Sequence, residues 1–253
     1  MISKTFLFIC SIPLLVLSLS CRESKISGES VYGEIPQDQY LSGKFYPSKS
    51  PLFINPGEVG VPVDGKSHYL RREAAAALKK MYDAFRLENP KVKIIIVSST
   101  RNFWDQKMIW EKKWDSKDYT GAAKSPSQKA SMILRYSSMP GTSRHHWGTD
   151  FDINTLTNEY YDGGDGKVIF QWLRENAGKF GFCQPYTPGR EKGYMEERWH
   201  WSYAPLSRVF VRDWNRIFGG DENIFGKKGL FLGAEYSGHL ARIYVNSINE
   251  RCR

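Results

Sequence analysis

Two short segments of alternating polar and apolar residues constrain the fold of this 253-residue chain more than any other feature. In residues 149–153, Asp150 and Asp152 share one face of a predicted strand, and the residue that follows each of them is apolar. In residues 198–203, whose sequence is RWHWSY, the alternation places His200 on a polar face and aromatic side chains on the other. Each strand therefore has an apolar face suited to a core, and the polar faces can bring carboxylates and an imidazole together.

Helical and extended patterns are mixed along the rest of the chain without a regular βαβ repeat. Apolar residues at helical spacing predict helices over residues 71–88, 103–114, 126–137, 168–180 and 234–248. The β-branched run Val92–Ser98 predicts a buried strand in a central position. This arrangement predicts an α+β fold in which helices flank a small antiparallel sheet.

The first residues have the layout of a signal peptide. Residues 1–20 contain one lysine and then an apolar run of about 15 residues, which is too short to be favoured as a permanent membrane span. An uncleaved anchor is the alternative. Cys21 follows directly, and this position resembles the lipobox of bacterial lipoproteins, although Ser18 stands where the lipobox usually has leucine. We predict an exported cell-envelope lipoprotein with a lipid on Cys21, against the alternative of an ordinary signal peptide.

The remaining boundaries follow from composition. Residues 21–56 are rich in Ser, Gly, Pro and Tyr, which predicts a lipid-attached tether and surface arm. We predict the main domain over residues 57–218 and a C-terminal tail over residues 219–253 that packs on it. Outside the cytoplasm, Cys183 and Cys252 would form a disulfide that fixes this tail, and a buried free thiol at Cys183 is the alternative.

The formal net charge of +9 raises the question of a nucleic-acid partner. The basic residues are scattered, however, and no zinc-finger or helix-turn-helix signature occurs. An anionic wall polymer or a lipid surface explains the charge equally well. We therefore predict no nucleic-acid partner.

Residues 143–152, with the sequence SRHHWGTDFD, concentrate imidazoles and carboxylates. Neutral imidazole nitrogens and carboxylate oxygens are good zinc ligands, and a catalytic zinc takes three protein ligands and keeps one open position. The third ligand must come from elsewhere. His200 is the candidate, because His68 and His239 have no acidic or motif residues in their company.

Three motifs in order carry a resemblance to a known family. The pattern S-x-H-x(2)-G-x(3)-D from Ser143 and the pattern E-x-W-H-W from Glu197 resemble the VanY-type D-alanyl-D-alanine carboxypeptidases. Residues 99–106 are similar to the family's S-x-R-S-x(3)-Q segment, with Asn102 in place of the usual serine. The resemblance covers roughly residues 70–205 and implies the Hedgehog/D,D-peptidase fold.

The resemblance implies that zinc is held by His145, Asp152 and His200. It also implies that Glu197 is the general base for metal-activated water that attacks the peptide bond. Because Glu197 and His200 are three positions apart, a regular strand would turn them to opposite faces. We therefore predict a turn or bulge before His200 that redirects Glu197, with Glu196 as the alternative base.

The resemblance further implies residues that bind substrate. Arg101 would take the terminal carboxylate of a peptide through two parallel hydrogen bonds, and Ser143 and Gln106 would support the same pocket. The predicted function is a monomeric D,D-carboxypeptidase with one zinc ion that removes the terminal D-alanine from peptidoglycan stem peptides. The alternatives are an L,D-carboxypeptidase or a wall endopeptidase with the same zinc site, and a wall-binding module without turnover.

Overall fold

A computed structural model of the protein describes residues 30–221 and 223–253. The predicted signal peptide and Cys21 lie outside these described residues, so cleavage, export and lipid attachment stay predictions. Residues 32–253 make up one compact unit. Within the described ranges, no helix is both long enough and apolar enough to cross a membrane.

Short strands and helices follow one another along the described chain. The strands are β1 (Phe53–Ile54), β2 (Leu70–Arg71), β3 (Ile96–Ser98), β4 (Asp150–Ile153), β5 (Phe182–Cys183) and β6 (His200–Tyr203). The α-helices are α1 (Gln37–Leu41), α2 (Arg72–Glu88), α3 (Phe103–Asp115), α4 (Lys117–Thr120), α5 (Pro126–Ile133), α6 (Gly164–Asn176), α7 (Ala204–Phe218), α8 (Ala234–Ser237) and α9 (Ala241–Asn246).

The larger sheet has four strands in the order β3-β4-β6-β5, and all neighbouring pairs are antiparallel. In the central pair, Asp152 lies opposite His200 and Asp150 lies opposite Ser202. The polar faces of β4 and β6 therefore coincide, as the alternation of their sequences predicts. The predicted α+β fold, with helices around a small antiparallel sheet, is confirmed.

Strand β3 differs from its prediction in length and position. Regular pairing covers only Ile96–Ser98 of the predicted run, and β3 lies at the edge of the sheet rather than in its centre. Its outer side is nevertheless covered, because Val63 forms a parallel bridge with Ile96. Ile94 and Ile96 are both buried in the core. The β-branched run therefore indicates that the segment is buried. A buried segment need not be a central strand.

The apolar core lies between the sheet and helix α2. Leu78 and Phe85 of α2 belong to one buried cluster with Phe151 of β4 and Trp201 of β6. These sheet residues alternate with the polar ones, so the core occupies one face of the sheet and leaves the other to the histidine and the carboxylates. The observed start of α2 at Arg72 agrees with the prediction to within one residue.

The segment predicted as tether and surface arm, residues 21–56, contributes to the core from Tyr32 onward. Tyr40 and Leu41 have no solvent exposure. The Tyr40 ring stacks on Phe45 at 5.0 Å and contacts Phe210 of α7 at 5.1 Å between ring centres. These contacts make the described part of the arm a structural component of the folded unit.

Helix α7 is absent from the sequence prediction. Its signals are Pro205 in the first turn and the buried Phe210, Trp214 and Phe218 at helical spacing. The alternating sequence of β6 runs directly into the helix, and Tyr203 caps it without a side-chain hydrogen bond. No glycine or polar turn therefore separates the two elements in the sequence.

The tail beyond residue 219 contains several short helical segments in place of the single predicted helix. The predicted helix over residues 234–248 is interrupted at Gly238, where a Cβ atom would lie 2.2 Å from the backbone nitrogen of Gly226. A 3-10 turn over Gly238–Leu240 separates α8 from α9. A disulfide joins Cys252 at the chain end to Cys183 in β5, with 5.7 Å between the Cα atoms.

Candidate metal centre

Three elements bring the predicted metal ligands together. His145 lies in a short 3-10 turn over Arg144–Trp147, Asp152 lies in β4, and His200 begins β6. One possible ligand atom from each of the three residues lies within 4.8 Å of the others. All three side chains are buried. Residues that are distant in sequence thus form one site on the polar face of the sheet.

The turn that carries His145 depends on its flanking residues. Ser143 caps the turn, and its Oγ accepts a hydrogen bond from the His145 backbone nitrogen at 3.3 Å. Gly148 ends the turn with a φ of 72°, and a Cβ atom there would lie 2.4 Å from the Phe53 ring. The glycine of the motif is therefore required both by the backbone conformation and by the close packing.

The ligand atoms face one another around Asp152. His145 Nε2 lies 3.4 Å from Asp152 Oδ2, and His200 Nδ1 lies 3.2 Å from Asp152 Oδ1. Oδ1 is buried and lacks a partner with hydrogen-bond geometry. A buried carboxylate oxygen without such a partner is costly, and a cation at this position would satisfy it. Two imidazole nitrogens and one carboxylate also form a typical donor set for a catalytic zinc, so these residues fit the ion.

Each histidine is oriented through its other ring nitrogen. His145 Nδ1 donates to the carbonyl oxygen of Ser99 at 2.8 Å. His200 Nε2 donates to Asp150 Oδ2 at 2.8 Å. Each bond fixes the proton on the donating nitrogen, so the other ring nitrogen is unprotonated and faces Asp152. Metal-binding histidines in proteins are usually oriented by a hydrogen bond of this kind.

Asp150 is the centre of a buried polar network behind His200. Besides the histidine, it accepts hydrogen bonds from Arg144 Nε at 2.9 Å, Ser202 Oγ at 2.7 Å and Thr149 Oγ1 at 2.6 Å. Burial alone would raise the pKa of Asp150, but the charge of Arg144 and the bond from His200 lower it below the usual range. The carboxylate is therefore ionised and held in place beneath His200.

Glu197 lies beside the ligands. Its Oε2 is 3.3 Å from His200 Nδ1, and burial raises the pKa of the carboxyl group against the opposing effect of His200. A turn at residues 198–199 precedes β6 and redirects Glu197, as its spacing predicts. Strand β6 therefore starts at His200, two residues later than predicted, and Arg198 pairs with Glu196 away from the ligands.

The electrostatic environment at the ligands favours a cation. Burial lowers the pKa of His145, and the nearby charge of Arg101 acts in the same direction against the opposing effect of Asp152, which favours the neutral imidazole that binds a metal ion. At His200, burial would lower the pKa, but the hydrogen bond to Asp150 and the nearby carboxylates of Asp152 and Glu197 raise it well above its usual value. Several carboxylates thus converge on a point where positive charge is stabilised, and a bound metal ion would supply that charge.

A cleft with a cavity of about 550 Å³ opens over these residues. Arg101 and Gln106 line it together with the ligands and Glu197. Gln106 Nε2 donates to the carbonyl oxygen of Ser138 at 2.7 Å, which leaves the Gln106 Oε1 atom buried without a partner. Ser143 is absent from the lining and fully buried, so its structural place is the cap of the His145 turn and its contact with substrate stays a prediction.

His68 has an acidic partner that the sequence prediction missed. Its Nε2 donates to Asp64 Oδ1 at 2.8 Å, and its Nδ1 is hydrogen-bonded to Ser99 Oγ at 3.1 Å. Ser99 is the residue whose carbonyl oxygen orients His145. The sequence does place an aspartate four residues before the histidine, and this spacing could have indicated the pair. The contact with Ser99 could not be predicted, because only the folded chain brings the two residues together.

Comparison with known proteins identifies the family. Residues 67–206 match the family model of VanY, the D-alanyl-D-alanine carboxypeptidases, and this range is more than half of the chain. The chain belongs to the VanY family. The matched range contains all three motifs on which the sequence resemblance depends.

Individual VanY relatives match over parts of their length. The YodJ protein of Bacillus subtilis (strain 168) is 30% identical over 180 residues, which are 70% of this chain and 60% of that protein. A D-alanyl-D-alanine carboxypeptidase of Enterococcus faecalis (strain ATCC 700802 / V583) is 32% identical over 136 residues, or 51% of this chain and 46% of that protein. The matched segments therefore span about half of these relatives.

A solved structure shares the fold. The LdcB LD-carboxypeptidase structure has a TM-score of 0.50 at 24% identity, and the match covers 77% of this chain and 79% of that chain. At this level of identity the similarity concerns the arrangement of helices and strands.

Proposed function

We propose that the protein is a zinc-dependent D,D-carboxypeptidase that removes the terminal D-alanine from peptidoglycan stem peptides. The observation that carries the proposal is the convergence of His145, Asp152 and His200 at the base of a cleft, with Glu197 beside them. Membership of the VanY family supports the reaction type.

His145, Asp152 and His200 would hold the zinc ion. When bound, zinc polarises a carbonyl group and lowers the pKa of water to about 7. Glu197 is the general base that accepts a proton from the attacking water and delivers it to the nitrogen of the departing D-alanine. Burial raises the pKa of Glu197, which brings the carboxylate closer to the range in which it both accepts and releases a proton.

The lining of the cleft suits a peptide with a free C-terminus. Arg101 carries a guanidinium group in the same cavity as Glu197 and can bind the terminal carboxylate through two hydrogen bonds. The unpartnered Oε1 of Gln106 can accept a hydrogen bond from a substrate amide. The rings of Tyr186 and Trp199 provide walls for the peptide.

We further propose that the protein works outside the cytoplasm as a lipoprotein anchored through Cys21. Peptidoglycan lies there, and the disulfide between Cys183 and Cys252 suits an oxidising compartment. A Cys21→Ser variant should appear in the soluble fraction of cells in which the wild type is membrane-bound. Membrane retention of the variant would overturn lipid anchoring.

The test of the proposed reaction is metal-dependent release of D-alanine from a pentapeptide ending in D-Ala-D-Ala, with protein that starts after residue 21. Chelation should abolish the release, and zinc should restore it at one ion per monomeric chain. Cleavage of a tetrapeptide alone would indicate an L,D-carboxypeptidase, and cleavage of an internal bond would indicate an endopeptidase. Zinc-loaded protein that binds wall peptides without cleaving them would be a binding module.

A further inference from the structure

Lys113 is a charged residue of the cleft to which the proposed mechanism assigns no role. It lies on α3, seven residues or two helical turns after Gln106, so both side chains point from the same face of the helix. Both line the cavity that also contains Arg101 and Glu197. Lys113 is therefore positioned to contact a peptide in the cleft.

The ammonium group of Lys113 has only neutral partners. Its Nζ donates to the hydroxyl of Tyr119 at 3.2 Å and to Ser137 Oγ. No acidic side chain pairs with it among the described residues, whereas Lys107 on the same helix is paired with Glu111 at 3.7 Å. The cavity thus contains an ammonium group without a counter-ion of its own.

Arg101 is in the same condition. Its Nη1 donates to Ser98 Oγ at 3.0 Å, and its Nε is buried without a hydrogen-bond partner. No carboxylate pairs with this guanidinium in the described part of the chain. Two cationic side chains therefore line one cavity, and both retain the capacity to bind an anion.

The two cations influence each other. Burial lowers the pKa of Lys113 to about 8, and the nearby charge of Arg101 acts in the same direction, against a smaller opposing effect of Glu197. The two positive charges repel each other in the partly desolvated cavity. A bound anion would be attracted to both groups and would offset this repulsion. The part of the cavity lined by Arg101 and Lys113 is consequently suited to a negatively charged group, whereas Asp152 and Glu197 line the part that suits a cation.

We propose that Lys113 is a second receptor, beside Arg101, for the free C-terminal carboxylate of the substrate. This inference rests on the proposed carboxypeptidase function, which supplies the peptide and its direction in the cleft. Two cations discriminate more strongly than one against a terminus that lacks charge. Lys113 is thus a specificity residue that restricts cleavage to the last peptide bond.

The experiment compares two peptides that end in D-Ala-D-Ala, one with a free carboxylate and one with a terminal carboxamide. In Lys113→Gln, the amide can still bond to Tyr119 and Ser137, but the charge is lost. We expect its KM for the carboxylate peptide to rise roughly tenfold to a hundredfold, with kcat nearly unchanged. Values for the carboxamide peptide should change little, so the preference for the carboxylate should fall by the same factor.

Lys113→Arg should retain most of the preference, because it keeps the charge. Lys112→Gln is the matched control, since Lys112 is the exposed neighbour on the same helix and should behave as wild type. An unchanged preference in Lys113→Gln, or an equal loss of activity on both peptides, would overturn the role of Lys113. If Lys113→Gln does not fold, Lys113→Met provides the same comparison. Wild-type protein that cleaves neither peptide would instead refute the proposed carboxypeptidase.

Discussion

At the scale of single residues, the proposed chemistry depends most on Glu197. Glu197→Gln keeps the size of the side chain and removes its ability to accept a proton. We expect kcat to fall about a hundredfold to ten-thousandfold, the usual contribution of a general base, while the zinc content stays at the wild-type value. Steady-state kinetics and metal analysis on the same preparation would check both expectations.

The matched control for this variant is Glu196→Gln. Glu196 pairs with Arg198 at 3.2 Å away from the ligands, so its loss should change kcat by less than about twofold. If Glu196→Gln were the inactive variant and Glu197→Gln the active one, the assignment of the general base would be reversed.

Asp150 is hydrogen-bonded to His200 and does not line the cleft, so we expect it to act through His200. In Asp150→Asn, the acceptor of the His200 Nε2 proton is weakened, and zinc affinity should fall about tenfold to a hundredfold. Arg144 would also lose its buried counter-ion, which should lower the free energy of unfolding of the metal-free protein by about 3–5 kcal/mol. Competition with a chelator and urea unfolding measure the two effects separately.

Asp162→Asn is a suitable control for Asp150→Asn, because Asp162 pairs with Arg198 at an exposed position. It should leave both zinc affinity and unfolding nearly unchanged. Wild-type zinc affinity in Asp150→Asn would mean that the hydrogen bond does not orient His200.

At the scale of elements, the end of β3 connects the core to the candidate metal ligands. Tyr69 donates its backbone nitrogen to Ser99 Oγ at 3.0 Å, and the Thr100 nitrogen donates to the Tyr69 carbonyl at the same distance. Ser99 then presents its carbonyl to His145, and the Arg101 carbonyl accepts from His146 at 2.7 Å. The segment after β3 therefore fixes both imidazole rings of the motif.

His68→Ala tests whether this connection matters for the metal. The substitution removes one of the two hydrogen-bond partners of Ser99 Oγ, leaving the Tyr69 nitrogen, and leaves Asp64 without its histidine. We expect zinc affinity to fall several-fold through misorientation of His145, and the shift should appear in chelator competition even in the absence of substrate. His239→Ala, at an exposed histidine in the tail, should have no such effect. Equal affinities in the two variants would contradict the connection.

The sequence predicts the faces of β4 and β6 because alternation specifies directly which side chains share a side. It does not predict where β6 begins. The Glu197 nitrogen donates to the Tyr186 carbonyl at 3.0 Å, and the Arg198 nitrogen donates to Asn158 Oδ1 at 3.1 Å. These contacts with distant segments form the turn and move Arg198 away from the face predicted for it.

The same limit applies to the residues around the metal ligands. His145, Asp152 and His200 stand in motifs whose spacing can be read directly. The roles of Arg144 and His68 depend on partners that only the folded chain brings near, since Arg144 donates to Ser202 Oγ at 2.6 Å across 58 positions. Local patterns therefore predict the candidate ligands, while the groups that orient these side chains can be found only in the folded chain.

At the scale of the whole molecule, α7 joins segments from both ends of the folded unit. The Tyr32 hydroxyl donates to Asp213 Oδ2 of α7 at 2.6 Å, and Phe210 packs on Tyr40. On the tail side, Asn215 Nδ2 donates to Asn246 Oδ1 at 2.7 Å. Because α7 follows β6 directly, both ends of the unit are attached to the helix that continues from the strand carrying His200.

The disulfide is the covalent part of this attachment, and Cys252→Ser isolates its contribution. Residues 183 and 252 enclose a loop with a sequence separation of 69, for which chain entropy alone assigns about 4 kcal/mol to the free energy of unfolding. Cys183 of β5 lies opposite Ser202 of β6, and β6 is the strand that also carries His200. The backbone hydrogen bonds between β5 and β6 remain in the variant, so zinc affinity in the folded state should remain at the wild-type value.

We therefore expect Cys252→Ser to unfold at a lower urea concentration than wild type, with the difference abolished when wild type is measured with a reductant. Its kcat and KM at 25 °C should equal those of wild type, because the bond stabilises the fold without contacting the cleft. A loss of zinc affinity in the folded variant would show instead that the tail holds His200 in place. In that case the C-terminal segment would be part of the metal centre's support, and reduction of the disulfide would release zinc before the protein unfolds.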